Sequence, residues 1–293
     1  MSDYAERYAE KQARILSGKI KDIYKQAAKE VDTKLKDFQS RYAAKEAHYR
    51  QMVHEGKLSI AWYQGWQKGQ VFTGKLWQQK LADITNVYVN ADKKAKELIH
   101  GTDKNVFCES ANYTAKDINN HVGGGVSFTL YNPKTVERLI KDSPKLLPEW
   151  KINEPKDYAW NEKRVLNAVT QGIIQGESIA KIAKRLSTEL ATKNAVKMNM
   201  FARTAITGSQ NAGRIEQMRE AKNQGVKVRK QWMTVGDDRV RDAHDEIDGD
   251  VRDIDEPFET SEGDIMYPGD PSAAPELVYN CRCTLNTFYS RYD

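Results

Sequence analysis

Residues 16–42 read LSGKIKDIYKQAAKEVDTKLKDFQSRY, and their spacing decides the first half of the fold. Leu16, Ile20, Ile23, Ala27, Val31, Leu35, Phe38 and Tyr42 recur in steps of four and three, which places them on one face of an α-helix. Lys19, Lys21, Lys25, Lys29, Lys34 and Lys36 fall mainly off that face. A helix of roughly 30 residues extends about 45 Å at about 1.5 Å per residue, so its apolar stripe must lie against another helix. The stretch from Ala43 to about His100 supplies the partner, with Ile60, Trp62, Trp66, Leu76 and Trp77 and then Leu81, Ile84, Val87 and Tyr88 at helical spacing. Glycines at 56, 65, 69 and 74 interrupt it. Because Gly costs up to about 1 kcal/mol in a helix interior relative to Ala, the middle is predicted to be short helices or a hairpin corner before a second long helix over 75–100. The aromatic side chains read as core rather than as a base-stacking platform.

From Gly101 the period fades and breakers accumulate: Gly101-Thr102-Asp103, Gly123-Gly124-Gly125, Asn132-Pro133, Ser143-Pro144 and Leu147-Pro148. An irregular connector over 106–156 is expected, with a helix starting at Asn132-Pro133, Asn as its cap and Pro at its first position. The glycine triplet lacks the lysine and serine of a phosphate-binding loop and reads as a turn. Helical spacing returns over 157–225. Val165, Ala168, Val169 and Ile173 form one face and Gly176 ends that helix; Ser178 caps the next, with Ile179, Ile182, Ala183 and Leu186. A third helix over about 194–224 carries Met200, Phe201, Ile206, Ile215 and Met218 and closes at Gly225.

After Gly225 the period becomes two. Val226, Val228 and Lys230 alternate with Lys227, Arg229 and Gln231 on the way into Trp232, which predicts a strand. A short helix through Val240 to Ile247, a turn at Asp248-Gly249, an acidic loop and a last strand from about Asn280 to Tyr289 follow. The fold class is α+β: a mainly helical N-terminal two thirds and a small C-terminal α+β domain. Its expected parts are a basic long-helix region at 1–105, the connector at 106–156, a helical bundle at 157–225 and a small acidic domain at 226–293.

Charge divides along the same lines. Residues 1–100 carry 19 Lys/Arg against 12 Asp/Glu, residues 101–225 carry 19 against 13, and residues 226–293 carry 8 against 16. The first two thirds therefore suit a polyanion and the last segment repels one or meets a basic surface. No apolar run approaches the roughly 18 residues that cross a bilayer, and Met1-Ser2-Asp3-Tyr4 lacks the apolar core of a signal peptide, so no membrane partner and a cytoplasmic origin are expected. Three cysteines in 293 residues make no disulfide framework.

The most distinctive residues come last: Trp232, then Asp237-Asp238-Arg239-Val240-Arg241-Asp242-Ala243-His244, then Gly249, then Pro268 to Pro271, then Asn280-Cys281-Arg282-Cys283. In order and spacing they resemble the phage head morphogenesis family of minor head proteins, typified by the F protein of phage Mu. That family combines a Trp-containing strand, a D-x-R-x-R-x-x-H element, a following glycine, a proline-containing loop and a terminal N-C-R-C. Gln171 to Ile179 and Ala202-Arg203-Thr204 resemble its helical lead-in, so the resemblance covers about 165–289, and residues 157–293 would be its domain. Family members often carry Glu after the Ala-Arg-Thr run, where this chain has Ala205.

The resemblance implies a virion protein of a tailed bacteriophage rather than an enzyme. It would sit at the portal vertex or in the capsid interior, be made in the host cytoplasm, and act in capsid assembly and in genome packaging and ejection. Its expected partners are the portal protein and packaged double-stranded DNA, with scaffold or major capsid protein as further contacts. DNA binding would be independent of sequence, because no recognition helix or zinc-finger pattern is present. Lys19, Lys21, Lys25, Lys29, Lys34 and Lys36 are the candidate DNA- or portal-facing residues.

On a strand, Cys281 and Cys283 would point to one face and Arg282 to the other. Two readings follow. In one, both cysteines are small buried residues, His244 hydrogen-bonds to an acidic neighbour, and Arg239, Arg241 and Arg282 pair with Asp237, Asp238 and Asp242; no cofactor is then required. In the other, His244, Cys281 and Cys283 hold zinc with a carboxylate from Asp242, Asp245 or Asp248, and the alternative function is a metal-dependent hydrolase centred on them.

Overall fold

The structure, a computed structural model, describes residues 3–72, 75–142, 147, 154–175 and 177–289. Its helices are α1 (Tyr4–His54), α2 (Ile60–Phe72), α3 (Lys75–Val122), α4 (Pro133–Asp142), α5 (Glu154–Ile174), α6 (Ile179–Lys184), α7 (Leu190–Asn223), α8 (Asp242–Asp245) and α9 (Pro275–Val278). Its strands are β1 (Val228–Met233), β2 (Val251–Arg252), β3 (Phe258–Thr260), β4 (Gly263–Ile265) and β5 (Thr284–Tyr289). This is the expected mainly helical α+β class, with the strands confined to the C-terminal part.

Several local signals act as predicted. Asn132 Oδ1 accepts the Thr135 N–H at 3.1 Å and starts α4, and Ser178 Oγ accepts the Lys181 N–H at 3.3 Å and starts α6. Gly225, with φ 85°, ends α7 in the left-handed conformation that favours glycine. Leu76, Trp77, Gly176, Ser143-Pro144 and Pro148 lie outside the described residues or side chains.

The connector is the main correction. Residues 106–122 belong to α3, whose Phe107, Ala111, Ala115 and Ile118 are buried at steps of four and three. Gly101 lies inside this helix with nothing within 4 Å of an added Cβ, so it weakens the helix without breaking it. The spacing beyond it is helical, but the face is made largely of alanines and follows a glycine, so its apolar signal is weak. α1 is likewise longer than expected, because Ala5 and Ala9 extend its buried face towards the N-terminus.

Nor does the chain divide into four consecutive parts. As far as they are described, the ranges 1–18, 97–151 and 199–293 form one compact unit, and 19–96 with 152–198 form the other. In the second unit Ile20, Tyr24, Ala27, Val31 and Leu35 of α1 are buried, as are Ile84, Val87, Tyr88 and Ala91 of α3 and Val165 and Val169 of α5. A buried polar group sits within this core: Asp92 accepts from the Tyr24 hydroxyl and from Asn161 Nδ2, the latter at 2.8 Å. A π-helical turn, Arg185–Glu189, joins α6 to α7, and the Tyr88 hydroxyl donates to the carbonyls of Leu186 at 2.6 Å and Ser187 at 2.9 Å. Such a turn loosens the regular ladder, and the tyrosine answers the carbonyls it frees.

The first unit is built on a three-stranded antiparallel sheet in the order β2-β1-β5, with Trp232 opposite Leu285 and Lys230 opposite Thr287. Its core joins Phe107, Ala111 and Ile118 of α3, Val136 of α4, Ala212, Ile215 and Met218 of α7, and Trp232 and Leu285 of the sheet. The acidic loop is more ordered than expected and contains the β3–β4 hairpin, which contributes Phe258 and Ile265 to this core. Gly213 lets α7 approach α3 closely: a Cβ there would lie 2.5 Å from the Phe107 carbonyl oxygen. No helix among the described residues is long and apolar enough to cross a membrane.

Candidate functional site

One face of α7 organises the C-terminal motif. Thr204, Thr207 and Asn211 follow one another at helical spacing and point at the segment that precedes β5. The Thr204 hydroxyl accepts the Asn280 N–H at 2.9 Å, and the Thr207 hydroxyl donates to the Cys281 carbonyl at 2.9 Å. Asn211, fully buried, accepts the Leu285 N–H at 2.8 Å and donates through Nδ2 to the carbonyls of Thr207 (2.9 Å), Pro268 (3.2 Å) and Cys283 (3.4 Å). One amide side chain thus ties the helix, the proline loop and the start of β5 together. Gly269, at φ 81°, is required beside it, since a Cβ there would lie 2.6 Å from the Gly208 nitrogen.

The segment carried on this face turns sharply at Asn280, whose φ of 59° is the left-handed conformation that Asn tolerates better than most residues. Cys281 and Cys283 precede β5 rather than lying in it, which corrects the expected strand boundary. Their alternation nevertheless survives: both are buried on one side, and Arg282 turns the other way. The Arg282 guanidinium makes a two-pronged pair with Asp237 at 2.5 and 2.6 Å, and it holds the Asp237 carboxyl well below the usual carboxylate range. Exposed Arg239 also reaches Asp237 at 3.2 Å. Arg241 donates to the Tyr279 carbonyl instead of joining an acid, so the expected ion-pair network shrinks to Asp237 with Arg239 and Arg282.

His244, on α8, is buried and aims Nδ1 at the two sulfurs, 3.7 Å from Cys281 Sγ and 3.5 Å from Cys283 Sγ. The expected acidic partner of His244 is replaced by these thiols. Trp232 packs edge-on against the imidazole with ring centroids 5.1 Å apart and fixes its plane. The Cys283 N–H points at Cys281 Sγ, 3.4 Å away. Hydrogen bonds from the Cys283 thiol and then from His244 favour the Cys281 thiolate, whereas the same sulfur pair and burial push the Cys283 thiol up. The turn at Gly249 (φ 81°) returns its N–H to the Trp232 carbonyl at 2.9 Å and so holds α8 against β1.

The motif residues therefore gather in the first unit around β1, α8 and the approach to β5. The candidate lysines lie in the second: Lys19, Lys21, Lys25, Lys29 and Lys36 are exposed on α1, while Lys34 is half-buried and meets Glu30 at 3.7 Å. Thr207 and Asn211 escaped the sequence reading, although with Thr204 they form a polar row at helical spacing. Lys230 did too, despite falling in the inward set of the alternation; its ammonium is buried and donates to the Met266 carbonyl at 3.0 Å. Ala205, where acid is common in the family, is fully buried.

The comparison with known families falls on the segment that carries this motif. Residues 163–286 match the family described as Phage Mu protein F like protein. Among individual proteins, it is similar to minor head protein GP7 of Bacillus phage SPP1, 25% identical over 209 residues, which are 71% of this chain and 67% of that protein. It is also similar to the NAD(+)--arginine ADP-ribosyltransferase EFV of Enterococcus faecalis, 33% identical over 124 residues, or 42% of this chain. The chain spans only 25% of that enzyme's length. No solved structure matches.

Proposed function

We propose that this chain is a minor head protein of a tailed bacteriophage, carried at the portal vertex or inside the capsid, where it assists head assembly and the packaging and ejection of DNA. The family of residues 163–286 supports the virion setting. The row of exposed lysines on α1 supports contact with DNA or an acidic portal surface. At about 100° per residue, Lys21, Lys25, Lys29 and Lys36 fall within an arc of about 80° on the solvent side of the helix, so one rod-shaped polyanion meets all four. Asp32 shares that arc and tempers it. Nothing in the row reads bases, so the binding is electrostatic and indifferent to sequence. The acidic C-terminal part, by its charge, suits a basic protein partner.

The test is fluorescence anisotropy with duplex DNA of mixed sequence over a series of salt concentrations. Wild-type affinity should fall linearly on a double-logarithmic plot, and replacing Lys21, Lys25, Lys29 and Lys36 with Gln should make the slope shallower by about 3 to 4. Binding that ignores salt, or a slope unchanged in the fourfold variant, would remove the lysine row from the proposal.

A further inference from the structure

We propose that His244, Cys281 and Cys283 form a structural site for one divalent metal ion of the zinc type, clipping α8 to the segment that leads into β5. The inference stands on geometry and is independent of the role in the virion. A tetrahedral zinc ion with sulfur at about 2.3 Å and nitrogen at about 2.0–2.1 Å places those donors about 3.5 Å from each other. His244 Nδ1 lies 3.5 and 3.7 Å from the two sulfurs, and all three donor atoms lie within 4.8 Å of one another. Both nitrogen-to-sulfur distances are therefore already those of a coordination shell.

Chemistry agrees with the spacing. Two thiolates cancel the charge of a divalent cation, so the filled site is neutral and suits a place where all three residues are buried. The arrangement of Cys283 N–H towards Cys281 Sγ is the kind of contact that favours a thiolate over a thiol. The imidazole supplies a second observation. His244 Nε2 is buried and has no hydrogen-bond partner among the described residues, so the ring is aimed by its Nδ1 side alone. An imidazole whose Nδ1 faces two sulfurs gains little from neutral thiols and much from an ion between them. Three protein ligands leave one corner to water, but that corner is enclosed with them. Burial of all three ligands suits a structural ion, whereas a hydrolytic metal keeps a position open to substrate.

The cysteines are free, and the two in the motif are separated by one residue whose guanidinium is anchored to Asp237 on the opposite side. That anchoring holds the sulfurs side by side and favours chelation over pairing with a distant thiol.

The experiment titrates the full-length reduced protein with Co²⁺. One equivalent should bind and give a thiolate-to-cobalt charge-transfer band together with the visible bands of a four-coordinate ion; Zn²⁺ should then displace it. Cys281→Ser with Cys283→Ser should abolish the charge-transfer band while circular dichroism shows the helices retained. If the serine pair fails to fold, His244→Cys carries the test. It keeps a ligand, so cobalt must still bind, with charge-transfer intensity increased by the third thiolate. No uptake by the wild type, uptake equal in the serine pair, or a His244→Cys spectrum identical to wild type would each overturn the site.

Discussion

Lys230→Met is expected to stabilise the protein at neutral pH and to lose that advantage as the solution is made basic. Lys230 is fully buried in β1, its ammonium donating to the Met266 carbonyl and lying 5.1 Å from the centre of the Phe258 ring. Burial brings its pKa down from the ordinary 10.5 to about 8. At about 1.4 kcal/mol per unit, holding the charged form in the fold near neutrality costs about 3 kcal/mol relative to the unfolded chain. Methionine fills a similar volume without that cost but forfeits the hydrogen bond, worth about 1 kcal/mol. The variant should therefore be about 1–2 kcal/mol more stable near neutral pH. Because the folded-state value lies below the ordinary one, the folded chain binds fewer protons than the unfolded chain between about pH 8 and about pH 10.5. Wild-type stability thus gains with pH through that window relative to the variant.

The assay is urea unfolding of both proteins at matched pH from about 7 to about 10, reading the difference in stability so that every other titrating group cancels. The difference should move in favour of the wild type by about 2–3 kcal/mol across the series. A flat difference would mean that Lys230 keeps its proton affinity in the fold, and the argument from burial would be wrong.

Asn211→Ala should cost about 3 kcal/mol, because it leaves the buried Leu285 N–H without its acceptor and takes the amide donor from the Pro268 and Cys283 carbonyls; a urea-unfolding loss under about 1 kcal/mol would contradict this. Asp237 is held below its ordinary 3.8 chiefly by Arg282, so the pair contributes stability above that value and loses it as pH falls through and below it. Asp237→Asn should consequently flatten the acid limb of a plot of melting temperature against pH, and an acid limb as steep as wild type would refute the assignment.

How much of this was legible beforehand depended on whether a signal was local. The capped helix starts at Asn132 and Ser178 and the glycine turn after α7 need only neighbouring residues, and they were read correctly. The continuation of α3 past Gly101 was missed because its helical state is enforced by burial of Phe107, Ala111 and Ile118 against residues about a hundred positions away. The motif residues were singled out by spacing, but their partners were not. That His244 would face two sulfurs rather than an acid follows from how β1, α8 and the α7 face are brought together, and no short window contains all three. Lys230 illustrates the reverse case. The alternation placed it inward, and only its charge argued otherwise.

The bond between Asp3 and Arg214 joins residues 211 positions apart at 2.6 Å, and Tyr289 reaches back 172 positions to Asp117. During synthesis at about 5–20 residues per second, the first turns of α1 would wait about 10–40 s for that partner to emerge. Through the later part of this interval the Phe107 to Ile118 face of α3 remains uncovered, since the helix and strands that seal it are still to be made. The segment 163–286, cut out alone, would lack those α3 residues and could not close the same core. Ribosome stalling or premature termination would therefore leave a chain with exposed apolar surface, open to proteolysis.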